Sequence, residues 1–113
     1  MKTASLNRNI EFKENKPSIQ LLFETNVSKE IRIAMKAGQV MSEHKTPFPI
    51  VVELFEGNVA FGVQGKTLHL CKGDLISLDG NVPHDLRAAS DCIIRLTLSK
   101  LDKLERVKAV DNN

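Results

Sequence analysis

Apolar side chains recur at every second position through most of this chain, in short runs cut by glycine, asparagine or proline. Successive side chains leave a strand on opposite faces, so a period of two is the repeat of a half-buried strand. Ile31, Ile33 and Met35 alternate with Arg32, Ala34 and Lys36. Val59, Phe61 and Val63 repeat the pattern, and Cys92, Ile94, Leu96 and Leu98 close it against Ile93, Arg95 and Thr97. Many short strands at near-regular spacing, joined by glycine-rich turns, predict an all-β sandwich or barrel. A length of 113 residues suits one such core and not two.

In chain order, residues 1–16 are polar and read as a loose N-terminal arm, with a short strand expected at 10–13. Residues 17–98 form the barrel. Its first firm strand is SIQLLFE, from Ser18 to Glu24. Val40, Ser42 and His44 share one face of a later strand by simple alternation, with Met41 and Glu43 on the other. Pro47 and Pro49 cannot both sit inside a central strand, so 45–49 is a rim loop. The strand pair on either side of Gln64-Gly65-Lys66 is the clearest hairpin. From Ser99 the period changes. Leu101, Leu104 and Val107 are three apart among charged residues, which predicts that 99–113 is a short amphipathic helix and tail with Ser99 as N-cap, serving as a lid or a dimer contact.

Composition excludes several functions. The net charge of +2 comes from interleaved lysines, arginines and acids, not from a basic stripe. With no Trp and no Tyr, base-stacking platforms are scarce, and nucleic-acid binding is not expected. No run approaches the roughly 18 apolar residues of a membrane helix, and the opening residues lack the apolar core of a secretory signal. A cytoplasmic protein is expected. Cys71 and Cys92 lack CxxC spacing and read as reduced thiols.

Two stretches carry a family resemblance. Residues 38–57, GQVMSEHKTPFPIVVELFEG, and residues 73–84, GDLISLDGNVPH, each open on a glycine and hold one histidine beside a proline-containing turn. They resemble the two motifs of a small single-domain cupin of the RmlC-like jelly-roll superfamily, a barrel also called a double-stranded β-helix. Gly38, His44, Gly57, Gly73, Asp74 and His84 fall in register with those motifs. Thr46 stands at the position of the family's second histidine, Ile50 at its glutamate, Asp79 at its proline and Asn81 at its glycine. The resemblance implies a cupin-type barrel with His44 and His84 at its mouth and a degenerate metal motif.

In that family three histidines and the glutamate hold a divalent metal, and here only His44 and His84 remain. Glu43 and Asp85 each neighbour a candidate ligand and so point to the opposite face. Glu53 is the one candidate third ligand, and only if a bulge after Pro49 reverses the parity that turns Ile50, Val52 and Leu54 inward. The expected cofactor is one divalent transition metal (Zn, Fe, Mn or Ni), weakly held, or none. Thr46, Phe48 and Ile50 are candidate pocket residues. Thr46 offers a hydroxyl to a ligand or caps its own loop, and Phe48 meets a ligand or plugs the rim. His69, between Leu68 and Leu70, is expected on the outer face.

Three functions are compatible with these residues. The barrel binds a small molecule, with or without a metal. Alternatively it is a metal-dependent oxygenase or isomerase acting on a small polar organic substrate, or a structural or regulatory dimer with a vestigial site. Losing two of four expected ligands weakens catalysis more than binding, which favours the first. A homodimer is expected from family analogy and from the open sheet edges.

Overall fold

The computed structural model describes residues 1–100. Nine strands follow one another: β1 (Ser18–Glu24), β2 (Ser28–Met35), β3 (Val40–His44), β4 (Ile50–Glu56), β5 (Asn58–Val63), β6 (Lys66–Cys71), β7 (Leu75–Leu78), β8 (His84–Ala88) and β9 (Cys92–Ser99). They form two antiparallel sheets, one ordered β1-β2-β9-β4-β7 and the other β3-β8-β5-β6. Strands adjacent in sequence repeatedly lie in different sheets, as a jelly roll requires, and no helix occurs among the described residues. The helix and tail expected over 99–113 fall mostly on residues outside the described range. Ser99, read as its N-cap, is the last residue of β9.

The alternating residues do what their period dictates. Ile33, Met35, Ile50, Val52, Leu54, Val59, Phe61, Leu86, Cys92 and Ile94 point between the sheets and form one buried cluster. Each such side chain removed from water contributes roughly 1.5–3 kcal/mol, so this face holds the two sheets together. The hairpin between β5 and β6 turns at Gln64 and Gly65, both with positive φ, the conformation that matches strand twist in a two-residue turn. Gly57 has a φ of 90°, and any Cβ there would overlap the Asp91 carbonyl, so this turn admits only glycine. At the sheet's edge β7 is less buried than its sequence suggests, with Leu75 exposed and Ile76 and Leu78 half-buried.

Residues 1–16 differ from the expectation of a loose arm, and 10–13 form no strand. Arg32 is the reason. It lies on the outer face of β2, only 3% exposed, and donates to the backbone carbonyls of Ser5, Arg8 and Asn9 and to Gln20 Oε1. Gln39 donates to the Lys13 carbonyl, and Lys36 pairs with Glu14 at 2.7 Å. The ammonium beside it holds the Glu14 carboxyl below the usual range. That pair is exposed and contributes little. The buried guanidinium, bonded four times, is what ties the arm down.

The two cysteines are unlike each other. Cys71 is exposed, whereas Cys92 is buried in the core and burial pushes its thiol up to about 11. The thiolate is the reactive form, so burial protects Cys92 twice. In the native protein at pH 8, a disulfide-exchange reagent is expected to titrate one thiol quickly. The second should appear only on addition of denaturant, and Cys71→Ser should abolish the fast phase.

Candidate functional site at the barrel mouth

His44 ends β3 and His84 begins β8, and the two residues are direct cross-strand partners. Simple alternation does not bring this about. Val40 pairs with Arg87 on the outer face and Met41 with Leu86 on the inner face, so an unbroken strand would turn His44 outward. The register shifts between Met41 and His44, and this bulge moves His44 to the inner face with Met41. The parity reading that grouped Val40, Ser42 and His44 is corrected by this bulge. Glu43 and Asp85 are exposed, as expected of their positions.

The rings meet edge to face with centroids 4.4 Å apart and an interplanar angle of 60°. Behind them, Phe61 is fully buried and lies nearly parallel to His84, with centroids 5.7 Å apart and an angle of 7°. The aromatic floor fixes the inner imidazole, which is 4% exposed, while His44 is half-buried outside it.

Both imidazoles are held the same way. His44 Nδ1 lies 2.7 Å from the Ser42 carbonyl and His84 Nδ1 lies 2.9 Å from the Val82 carbonyl. A carbonyl oxygen only accepts, so each Nδ1 must carry the proton. In the neutral rings each Nε2 then carries a free lone pair. No buried side-chain nitrogen among the described residues lacks a partner, which places the unpaired Nε2 of His84 in contact with solvent. The two imidazoles are thus neighbours at one end of the barrel, each tethered through Nδ1 with its Nε2 not engaged by the described residues.

The loops around the pair are locked to each other. Asn81 N donates to the Thr46 carbonyl at 2.6 Å, and a Cβ on Gly80 would overlap the Pro47 carbonyl. The loops that follow His44 and precede His84 therefore touch through backbone, with no room for a side chain at Gly80.

The other sequence candidates are scattered. Thr46 spends its hydroxyl on the Phe48 carbonyl at 3.0 Å, which is the loop-capping role. Thr46 and Phe48 line a largely apolar hollow of about 350 Å³ with Pro47, Leu98 and Lys29, and neither histidine lines it. Ile50 is 2% exposed and belongs to the core. His69 pairs with Ala60 and is exposed on the outer face.

Glu53 does not join the histidines. The strand from Ile50 to Leu54 keeps its alternation, and the shift in β4 comes only after Leu54. Glu53 therefore points outward, where Arg95 reaches it at 3.4 Å while also pairing with the buried Glu30 at 2.9 Å. Among the described residues no cluster of three or more His, Cys, Asp or Glu side chains is placed to hold a metal. The protein thus offers two nitrogen donors, half of a tetrahedral set.

No protein-family model and no curated protein matches the chain. Solved structures do. An RmlC-like cupin from Desulfovibrio desulfuricans superposes with a TM-score of 0.81 at 22% identity, covering 88% of this chain and 96% of that one. An RmlC-like cupin from Shewanella frigidimarina gives 0.76 at 19% identity, over 91% and 95% of the two chains. A double-stranded β-helix protein from Klebsiella pneumoniae gives 0.77 at 18% identity, over 88% and 89%. At these identities the likeness is one of fold.

The site geometry makes a spectroscopic prediction. Nitrogen-15 spectra of the neutral imidazoles should show both His44 and His84 as Nδ1–H tautomers, whereas exposed His69, which has no such carbonyl tether, should show a mixture of the two tautomers. Nε2–H tautomers at either mouth residue would contradict the hydrogen bonding described.

Proposed function

We propose that this small cupin domain binds a small polar organic molecule at the barrel mouth, using the Nε2 atoms of His44 and His84 as its fixed polar contacts. The observation that supports this reading most is the paired tethering of the two Nδ1 atoms. Each tether orients a ring before any guest arrives, which lowers the ordering cost of binding. The apolar floor at Phe61 and two directional nitrogens match the usual makeup of a small-molecule site, mostly apolar with a few placed polar groups.

A divalent transition ion (Zn, Fe, Mn or Ni) fits this donor set in part. His44 and His84 would hold it, and its remaining positions would fall to water or to oxygens of the guest. Bound there, it would polarise a guest oxygen as a Lewis acid. Metal-dependent oxygenase or isomerase chemistry is the weaker reading, because Glu53, its best third ligand, is engaged with Arg95 on the other face. Calorimetric titration with Zn²⁺ tests the pair. The wild type is expected to bind one equivalent, and His44→Ala or His84→Ala should each weaken binding at least tenfold, with His69→Ala unchanged. Loss in the His69 variant alone would overturn the assignment.

A homodimer is the second part of the proposal. The sheet bearing β1 has five strands against four in its partner, and β1 is its edge. Ile19 and Leu21 face the same side as Ile33 and Ile31, with which they pair, yet they are 56% and 52% exposed. An apolar overhang on an open strand edge supports a second copy as its cover. Light scattering should give about twice the chain mass of 12.6 kDa. Leu21→Lys should return the monomer, and a wild-type monomer at high micromolar concentration would refute the proposal.

A further inference from the structure

A second site lies on the outer face of the five-stranded sheet, away from the core, under the N-terminal arm. Arg32 sits there with its charge buried and not neutralised. Its four hydrogen bonds go to three backbone carbonyls and an amide oxygen, and none of the ion pairs among the described residues involves it. Carbonyl dipoles solvate a guanidinium and hold it in place, but the net positive charge remains. Buried charges are ordinarily paired.

Beside Arg32 is a cavity of about 360 Å³, walled by the arm on one side and β1 and β2 on the other. Its walls include Arg8, Ser5, Asn9 and Gln20 and contain no acid. The Arg8 guanidinium has no partner among the described residues. Two arginines, one of them 3% exposed and held by four hydrogen bonds, thus line a hollow large enough for a small ligand.

A second hollow of about 170 Å³ adjoins it, sharing Ala4 and Leu22 as walls and adding Leu6 and Phe23. The acid on its border, Glu30, is already bonded by Arg95 and Thr97. A polar cationic chamber beside a mostly apolar one suits a molecule with one anionic head and a short hydrocarbon body.

We propose that the hollow between the N-terminal arm and the outer face of β1 and β2 binds a small organic carboxylate, its head neutralising Arg32 and Arg8 and its apolar part against Leu6, Leu22 and Phe23. This site is separate from the barrel mouth and does not depend on the function proposed for His44 and His84. The Arg8 guanidinium, unpartnered among the described residues, can take a carboxylate bidentately, while Arg32, whose four terminal N–H groups are already donated, adds a fixed positive charge and its remaining Nε–H; a partly enclosed position strengthens the attraction relative to water. Occupancy would also fix the arm, since the same guanidinium holds both the arm's carbonyls and the ligand's charge.

The probe is butyrate, with butyramide as its uncharged analogue and inorganic phosphate as an anion without a hydrocarbon body. Backbone amide NMR on the full chain reads both affinity and place. Butyrate is expected to shift amides of residues 3–9 and 20–32, with butyramide at least tenfold weaker. Arg8→Ala should weaken butyrate at least fivefold without unfolding the barrel, because Arg8 is exposed and unpaired. Arg32→Lys should weaken it further, and His84→Ala should leave it unchanged. Equal binding of butyrate and butyramide, an unaffected Arg8→Ala variant, or shifts confined to the barrel mouth would each overturn the proposal. Phosphate binding there in preference to butyrate would overturn the carboxylate assignment.

Discussion

The pairing of β3 with β8, with one bulge in β3, decides what the barrel mouth is made of. Without the bulge His44 would face solvent beside Val40, and His84 would stand alone against Phe61. With it, two imidazoles separated widely in the chain become cross-strand neighbours. A bulge costs one residue of ladder pairing and re-aims every side chain after it. Here the residue re-aimed is the one that completes the pair.

Everything behind that pair is ordinary strand physics used to hold it still. The buried cluster between the sheets fixes Phe61, and Phe61 lies flat against His84. Backbone carbonyls two residues before each histidine fix the rings, and the backbone contacts of Asn81 and Gly80 fix the loops to one another. No charged group of the protein is needed for this arrangement. The outer face of the five-stranded sheet works by different means, with Arg95 shared between Glu30 and Glu53 and Arg32 shared among carbonyls of the arm.

Much of this was legible in the chain. The strands from Ser18 to Ser99 follow from the period of two and the turn residues, and the motif glycines and histidines point to the cupin fold that the solved structures share. The position of His44 was predicted for the wrong reason, because a bulge belongs to a strand pair and leaves no mark in one strand's alternation. The docked arm was illegible for a related cause. Arg32 occupies a polar position in a half-buried strand, and nothing local distinguishes a solvated arginine from one covered by residues far away in sequence. Glu53 illustrates the converse, since its alternation with Val52 and Leu54 holds in the structure and the one irregularity of β4 against β9 comes only after Leu54, whereas turning Glu53 inward would need it before Glu53.

If the two imidazoles act on one guest or ion, their contributions must be coupled, because neither alone supplies the set. A double-mutant cycle on Zn²⁺ affinity, with His44→Ala, His84→Ala and the double variant, measures that coupling directly. The double variant should bind no more weakly than the poorer of the two singles. Losses that simply add, or either single retaining wild-type affinity, would show that the histidines are neighbours without being a site.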